Sequence, residues 1–536
     1  MPEGTLWHNL LIYVPLSIIG LWRWSFWLVR RLGAAAYRPK VGVWREGEPR
    51  PTVTVVTPVY NEDEELFDRA VRSWQRNGVD EIVAVMDRSN VRHMMRCERE
   101  YVADTSTRTK FRMVVTPKPG KRAALCDGIE AASGDLIALV DSDTTWDDDV
   151  LARTVPHFVA NPRVGGATVA QRISNPDRTS NVLFDMLLWS RYREEVPFLL
   201  GTGPAFNTLS GRTAFYRREA LLSGNNMHDL RHESFLGSRA ISGDDKRLSH
   251  LIIRDGWETA YVKGTTVQTP GLGSMRLFLK QRLRWTRNSW RADLRAVFQG
   301  WVFRYPALAM FMIDRFIQPF FMLIGPVVFT LAILSEEWVF AAILVGWWLV
   351  SRTVRIFGYF WAHPAKIIYL PAYTIYGYVT AVLKLYALGT LIENSWATRW
   401  SQGREVRKGY FRKSTTLIQG YFAIALFCIL LTQLALSFRQ QLGADIKEQP
   451  VYDKAVLRTA VDAHKGVQAD PVVPTDKVDP DAVAVYTVQP GDTMLALSER
   501  LDTPIPALKK LNGILDGDLI LVGQKVVYFR PVEAQQ

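Results

Sequence analysis

The chain has 536 residues, with 65 Lys and Arg against 53 Asp and Glu, and a formal net charge of +12 at pH 7. This length exceeds what one hydrophobic core usually holds, so we expect two or three folded units. The basic surplus is concentrated beside long apolar segments, which is typical of membrane flanks, and we therefore expect membrane lipid and no nucleic acid as a partner. Three cysteines, Cys97, Cys126 and Cys428, have neither metal-ligand spacing nor a disulfide framework.

Long apolar segments predict a multi-pass membrane protein. The first, residues 10–29, is about long enough to cross a bilayer and has no basic leader or cleavage site, so it is predicted to be a retained helix. The later segments are 306–334, 338–350 with its continuation, 367–392 and 417–438. The Lys and Arg bias places residues 38–300 and the basic run 399–413 on the cytoplasmic side. Segment 367–392 is then predicted to be re-entrant or interfacial, leaving four membrane spans.

Between the first two apolar segments, strand and helix patterns alternate. Strands are predicted at 52–59, 81–87, 111–117 and 136–143, and helices at 63–78 and 121–133. This alternation favours a mostly parallel sheet with helices on both faces. Ligands bind such sheets beyond the carboxyl ends of the strands.

Acidic residues cluster at one of these strand ends, in the stretch LVDSDTTWDDD at 139–149. Asp141 and Asp143 have the spacing that suits Mg²⁺ or Mn²⁺ shared with a diphosphate. Alternatively, acids after a strand only cap the following helix, as we expect for residues 147–149. Lys121 and Arg122, at a predicted helix N-terminus, could meet phosphate.

Four further motifs follow in order: LSGRTAFYRREAL at 209–221, SGDD at 242–245, QRLRW at 281–285 and KLYALGTL…WATR at 384–399. With the upstream sheet they resemble the family 2 glycosyltransferases of GT-A fold, and among these the processive membrane synthases of hyaluronan, chitin, cellulose and mannuronan. The resemblance covers roughly residues 50–410. It implies an α/β GT-A domain, Rossmann-like with a mostly parallel sheet, attached to an α-helical transmembrane region.

The resemblance also implies residue roles. Asp245, preceded by Asp244, would be the general base that takes a proton from the acceptor hydroxyl. Asp143, with Asp141, would bind the Mg²⁺ or Mn²⁺. Residues implied near the acceptor are Ser210, Gly211, Gln281, Arg284 and Trp285. Residues implied around the nucleotide sugar are Pro58, Tyr60, Asn61, Glu62, Asp87, Lys121, Arg122, Asp141, Trp396, Thr398 and Arg399.

The implied activity is that of a processive, inverting polysaccharide synthase that uses a nucleotide sugar, a UDP-sugar if hyaluronan synthase-like, and passes its growing β-linked chain across the membrane. Partial likeness to mannuronan synthases, in GDDKRLSH and RWTRNSWR, keeps a GDP-sugar open. Two other classes remain: a non-processive transferase acting on a lipid phosphate, and an envelope anchor or glycan sensor with an inactive domain.

The C-terminal segment has a different character. Residues 441–484 lack periodicity and are predicted to be a flexible linker, followed by a strand–helix–helix–strand pattern in which Thr493 caps the first helix. YTVQPGDT and LNG…GDLILVGQKV resemble a LysM module, which implies binding of peptidoglycan or another N-acetylglucosamine-containing glycan. The charge bias places this α+β (βααβ) module outside the inner membrane. The predicted units are 1–37 (membrane helix), 38–300 (GT-A domain), 301–440 (membrane and interfacial helices with a gating loop at 394–400), 441–484 (linker) and 485–531 (LysM).

Overall fold

The computed structural model describes residues 3–39, 41–104, 106–117, 120–239, 242–334, 336, 338–393, 418–420, 433, 483–489, 491–512, 514, 520 and 523–529. The predicted gating loop at 394–400, nearly all of the predicted segment 417–438 and nearly all of the linker 441–484 lie outside these residues. The chain divides into two compact units, Met1–Thr432 and Gln433–Gln536.

An eight-stranded mixed sheet forms the centre of the first unit, in the order β3-β2-β1-β4-β7-β6-β10-β5. Its strands are β1 (Val53–Pro58), β2 (Glu81–Asp87), β3 (Lys110–Thr116), β4 (Leu136–Val140), β5 (Thr145–Trp146), β6 (Val164–Ile173), β7 (Thr213–Arg217) and β10 (Glu258–Thr269). A separate hairpin pairs β8 (Ser234–Phe235) with β9 (Ser238–Arg239). The four predicted strands are confirmed as β1 to β4, with ends that differ by up to three residues.

Strands β3, β2, β1 and β4 are parallel, as predicted. Strand β10 also pairs parallel with β6, so the prediction of a mostly parallel sheet is confirmed. The sheet is nevertheless mixed, because β7 runs antiparallel to both β4 and β6, and β5 runs antiparallel to β10. The direction of β7 is set by the segment of chain that connects it to the preceding strand. Its five residues have no sequence pattern that distinguishes a parallel from an antiparallel strand.

Both faces of the sheet are covered. Successive residues of β1 point to opposite sides, so Val55 packs in one apolar cluster and Val56 in the other, and both side chains are fully buried. This arrangement explains why β2 and β4 are nearly continuous apolar runs without polar alternation.

The helices of the first unit are α1 (Glu3–Ala36), α2 (Glu64–Arg76), α3 (Val91–Cys97), α4 (Lys121–Ala131), α5 (Val150–Ala160), α6 (Thr179–Ser190), α7 (Val196–Thr202), α8 (Arg218–Leu222), α9 (Asn226–Arg231), α10 (Asp244–Arg254), α11 (Met275–Phe298), α12 (Pro306–Leu334), α13 (Trp338–Ala362) and α14 (Leu370–Gly389). The two helices predicted between the first strands are confirmed as α2 and α4. Asp63 caps α2, accepting a hydrogen bond from the Leu66 N–H at 3.0 Å.

Within the described part of the chain, two helical segments are long and apolar enough to cross a membrane, judged by length and composition: Pro306–Leu334 and Ala341–Ala362. A short 3₁₀ helix, Pro364–Tyr369, interrupts the chain between α13 and α14. This interruption results from proline at the start of each helix, where its missing N–H costs nothing.

The second unit has the predicted strand–helix–helix–strand order. Strand β11 (Val483–Thr487) pairs antiparallel with β12 (Lys525–Phe529), and the helices are Met494–Arg500 and Ile505–Leu511. The Thr493 hydroxyl accepts a hydrogen bond from the Ala496 N–H at 3.2 Å, which confirms the predicted cap. Its small core contains Val488, Met494, Leu497, Leu501, Leu508 and Val526.

Candidate active site

The acidic turn after β4 is held against the turn after β1. The Ser142 hydroxyl donates to Glu62 Oε2 at 2.8 Å, and the Asp141 N–H donates to the Arg212 carbonyl at 3.1 Å. The buried indole N–H of Trp74, on α2, donates a hydrogen bond to the Thr144 carbonyl at 3.0 Å. The turn that carries Asp141 and Asp143 is therefore fixed by contacts from separate elements.

Lys121, the first residue of α4, joins this turn to the start of α10. Its ammonium group contacts Asp141 Oδ1 and lies 3.8 Å from Asp244 Oδ2. Burial disfavours the Lys121 charge, but the two carboxylates outweigh burial and raise its pKa above the ordinary lysine value. Lys121 is thus a fixed cation beside the predicted metal turn.

Two adjacent carboxylates begin α10, and their surroundings differ. Burial opposes the charge of Asp244, yet the Lys121 and Arg122 cations lower its pKa. Burial and the neighbouring Asp244 carboxylate raise the pKa of Asp245. Of the pair, Asp245 therefore has the stronger tendency to hold a proton, which suits the predicted general base.

The position of Asp245 depends on two glycines. Gly243, with φ of +88°, precedes α10 in the left-handed region that favours glycine. A Cβ on Gly211 would lie 3.1 Å from Asp245 Oδ2, so this glycine allows the predicted acceptor segment to approach the carboxylate. Ser210, the neighbouring predicted acceptor residue, is buried, and its N–H donates to Thr168 Oγ1 at 3.3 Å.

A narrow cavity brings the predicted donor-side and base residues together. Its lining includes Lys121, Asp141, Gly211, Asp244 and Asp245. These residues come from α4, the β4 turn, the segment before β7, and α10, so the sheet and its helices place distant parts of the chain around one space.

Arg122 has different partners from those predicted. Its side chain is buried, contacts Glu233 and donates to the Ser242 carbonyl at 2.9 Å. The two Nη atoms are thus engaged by protein groups, whereas Nε has no partner among the described residues, and the role of Arg122 as a nucleotide-sugar ligand stays a prediction. Arg122 also holds the turn that leads into Asp244 and Asp245.

The QRLRW motif lies on α11. Arg284 interacts electrostatically with Asp244, Asp245 and Asp141, and burial lowers its pKa. The buried Arg284 Nε and Gln281 Oε1 have no hydrogen-bond partner among the described residues. Trp285 packs at 5.6 Å between ring centroids from Phe184.

A second cavity, of about 130 Å³, begins at Asp245 and extends past Trp285 to Arg315 and Phe316 of α12 and Lys384 of α14. Asp245 therefore borders both cavities. Neither Arg315 nor Lys384 was among the predicted site residues, although an ionisable residue inside an apolar segment is a signal for a functional position.

The other predicted nucleotide residues lie at the carboxyl edge of the sheet. Pro58 ends β1, Tyr60 is 45% exposed, and Asn61 has a positive φ of 46°. Asp87 ends β2 and accepts a hydrogen bond from the Ser89 N–H at 2.8 Å. Three more predictions, Trp396, Thr398 and Arg399, lie outside the described residues.

The candidate metal ligands are the two carboxylates of Asp141 and Asp143. In the described ranges, no group of three or more His, Cys, Asp or Glu side chains is arranged to hold an ion. The Asp141 carboxylate is 32% exposed and adjoins Asp143 in one turn. Two carboxylates fit a hard divalent cation only if a ligand such as diphosphate supplies further oxygens.

Comparisons with known proteins match two parts of the chain to described families. Residues 49–288 match the family described as "Glycosyltransferase like family 2", and residues 486–527 match the LysM domain. An "N-acetylglucosaminyltransferase" of Rhizobium leguminosarum bv. viciae is 29% identical over 374 residues, 66% of this chain and 83% of the relative. A "Type 2 glycosyltransferase" of Zymoseptoria tritici is 23% identical over 418 residues, 72% of this chain and 85% of the relative.

A solved structure, a mannosyltransferase from Pyrobaculum calidifontis in complex with GDP-Man and Mn²⁺, is 18% identical with a TM-score of 0.45, covering 72% of this chain and 98% of its own. The family matches and the named relatives lead to one conclusion. The protein is a glycosyltransferase in which a family 2 glycosyltransferase domain, residues 49–288, is combined with a LysM domain, residues 486–527.

Proposed function

We propose that this glycosyltransferase is a processive, inverting polysaccharide synthase. The observation that carries the proposal is the position of Asp245, which borders both the cavity containing Lys121 and Asp141 and the cavity that extends to α12 and α14. A base at such a junction can serve a donor on one side and the end of a growing chain on the other.

On the donor side, Asp143 and Asp141 would hold Mg²⁺ or Mn²⁺, whose charge would offset that of the leaving diphosphate. Lys121, fixed beside Asp141, supplies a permanent positive charge at the same place. Tyr60, Asn61 and Glu62, in the turn after β1, would line the nucleotide pocket.

On the acceptor side, Asp245 would accept the proton of the attacking sugar hydroxyl. The hydroxyl oxygen bonds to the donor's anomeric carbon while the bond from that carbon to the diphosphate breaks, which inverts the configuration. Because the hydroxyl is a weak nucleophile at neutral pH, a carboxylate within hydrogen-bond reach assists in the transition state. Arg284 and Gln281 would contact the reacting groups, and the Trp285 ring offers an apolar surface for a sugar.

The product would leave through the second cavity, between α12 and its neighbours. Segments Pro306–Leu334 and Ala341–Ala362 have the length and composition for this crossing. With the Lys and Arg bias, the catalytic domain would be cytoplasmic and the enzyme multi-pass in the inner membrane. The LysM domain would lie outside and bind peptidoglycan or another N-acetylglucosamine-containing glycan.

The donor would be a UDP-sugar, which is consistent with relatives named N-acetylglucosaminyltransferase. The test uses full-length enzyme in lipid nanodiscs with Mg²⁺ or Mn²⁺ and a panel of UDP- and GDP-sugars. We expect release of nucleoside diphosphate and a long polymer. A lipid-linked monosaccharide as sole product would overturn processivity, and a GDP-sugar as sole donor would overturn the nucleotide assignment.

Two variants test the assignment of Asp245 as the general base. Asp245→Asn should reduce turnover by about 10²-fold or more, while Asp148→Asn, at a side chain that is 80% exposed, should leave turnover unchanged. Wild-type turnover in Asp245→Asn would contradict the assignment.

A further inference from the structure

The turn that precedes the proposed base is held from two sides. The Ser242 carbonyl accepts a hydrogen bond from Arg122 of α4 at 2.9 Å. The Ser242 hydroxyl is buried and donates to the amide oxygen of Asn288, on α11, at 3.0 Å. Because α10 begins at Asp244, directly after this turn, a shift of Ser242 would shift Asp245 with it.

Asn288 also packs against the glycine of this turn. A Cβ added to Gly243 would lie 2.9 Å from the Asn288 Cβ and 3.2 Å from its Nδ2, so the turn backbone lies in contact with the amide. Asn288 is 8% exposed, and it lines the second cavity together with Asp245. The amide therefore supports the turn on the side from which the acceptor would arrive.

Arg291, one turn further along α11, fixes the Asn288 amide. Its Nη2 donates to the same amide oxygen as Ser242, so both lone pairs of that oxygen are used. Its Nη1 donates to the Leu391 carbonyl at 3.0 Å, in the segment that follows α14. One buried guanidinium can hold two acceptors because its donors form a planar fork. A chain of hydrogen bonds thus runs from Leu391 through Arg291 and Asn288 to Ser242.

Two further hydrogen bonds fix α11 against α14. The buried Arg287 Nε donates to Thr390 Oγ1 at 3.0 Å, and the Trp290 indole N–H donates to the Lys384 carbonyl at 3.1 Å. Lys384 also lines the second cavity. The part of α11 that holds the base turn is therefore itself held by a helix that borders the proposed route of the acceptor.

We infer that Asn288 and Arg291 are positioning residues for Asp245, and that they make the location of the base turn depend on α14. This inference rests on the proposed function, because it requires Asp245 to act as the base. Neither side chain has to contact the reacting atoms. Their hydrogen bonds would hold the carboxylate where the attacking hydroxyl arrives, and a misplacement of about 1 Å can reduce turnover about 10²-fold.

The test measures kcat for nucleoside diphosphate release by full-length enzyme in lipid nanodiscs, with nucleoside diphosphate affinity and thermal unfolding measured on the same samples. Asn288→Ala and Ser242→Ala remove opposite ends of one hydrogen bond. We expect each to lower kcat about tenfold and to change nucleoside diphosphate affinity less than kcat. The double variant should lose little more than either single variant, and Ser242→Thr, which keeps the hydroxyl, should retain most of the wild-type kcat.

Arg291→Lys tests the connection to α14. A lysine keeps the positive charge but lacks the planar fork that holds Asn288 and the Leu391 carbonyl together. It should lower kcat about as much as Asn288→Ala, with little further loss when the two are combined. Wild-type kcat in Arg291→Lys would remove α14 from the inference.

Two comparisons separate positioning from stability. Asn161→Ala is the matched control, because the Asn161 amide likewise donates to Glu258 Oε2 at 2.8 Å and accepts from the Arg163 N–H at 3.0 Å. It should lower the unfolding temperature and leave kcat unchanged. In an Asp245→Asn background, Asn288→Ala should lower kcat far less than it does in wild type, because the proton acceptor that it positions is absent.

The outcomes distinguish this inference from the proposed function. Wild-type kcat in Asn288→Ala, an equal loss in the Asp245→Asn background, or full additivity with Ser242→Ala would overturn the positioning role and leave the base assignment standing. If Asn288→Ala does not fold, equal kcat in Ser242→Ala and Ser242→Thr would overturn it instead. Wild-type kcat in Asp245→Asn would overturn the base assignment and the inference with it.

Discussion

Replacing Gly211 with alanine should displace the proposed base without removing it. The new Cβ would lie 3.1 Å from both Asp245 Cβ and Oδ2, and 3.3 Å from Cγ. Because such contacts are most favourable at about 3.5–4.0 Å, the carboxylate has to shift by about 0.5 Å. A misplacement of about 1 Å can reduce turnover about 10²-fold, so we expect about a tenfold lower kcat, or about 1.4 kcal/mol of barrier.

The assay is steady-state release of nucleoside diphosphate, with thermal unfolding measured on the same samples. KM for the nucleotide sugar should change less than kcat, because the displaced group is the Asp245 carboxylate, which is proposed to act on the acceptor hydroxyl. Gly203→Ala is the matched control, since its Cβ would have Leu199 O as nearest atom, at 3.8 Å, and its backbone is extended.

A double variant tests the cause. If Gly211→Ala acts through Asp245, adding it to Asp245→Asn should produce little further loss. Wild-type kcat in Gly211→Ala, or full additivity with Asp245→Asn, would refute the reasoning.

Three further predictions concern the surroundings of the site. Lys121→Gln should lower kcat by about 10²-fold because it removes the cation beside Asp141; steady-state kinetics checks this, and an unchanged kcat would contradict it. Trp74→Phe should destabilise the fold by about 1–3 kcal/mol and lower donor affinity, because the carbonyl in the turn after β4 loses its buried donor; denaturant unfolding and nucleotide binding measure the two effects, and no change in either would count against it. Buried His250 has its pKa lowered to about 3, first by burial and then by Lys246. The unfolded chain therefore binds a proton near pH 6.5 that the folded protein does not, and stability that is complete above that pH falls on acidification, by about 2 kcal/mol at pH 5. Unfolding measured from pH 7.5 to 5 should show this fall in wild type and a smaller one in His250→Gln; equal slopes would refute the assignment.

Local patterns in the sequence were sufficient to predict the strands and helices that position the proposed nucleotide-sugar ligands. Apolar runs followed by Asp87 and Asp141 predicted strands with acidic carboxyl ends, and both are present. Thr493 predicted the start of a helix in the LysM domain, and its hydroxyl caps that helix. These features depend on residues close together in the chain, because strand burial, capping and turns are set by neighbours.

Other features depend on parts of the chain that are distant in sequence. The direction of β7, the engagement of Arg122 by Glu233, and the shared position of Asp245 between two cavities were decided by tertiary packing. The cations of α11, α12 and α14 are separated by up to 102 residues, from Arg282 to Lys384, and meet only because the helices pack together. Periodicity identifies which face of an element is buried, but the partner on that face is selected by the fold as a whole.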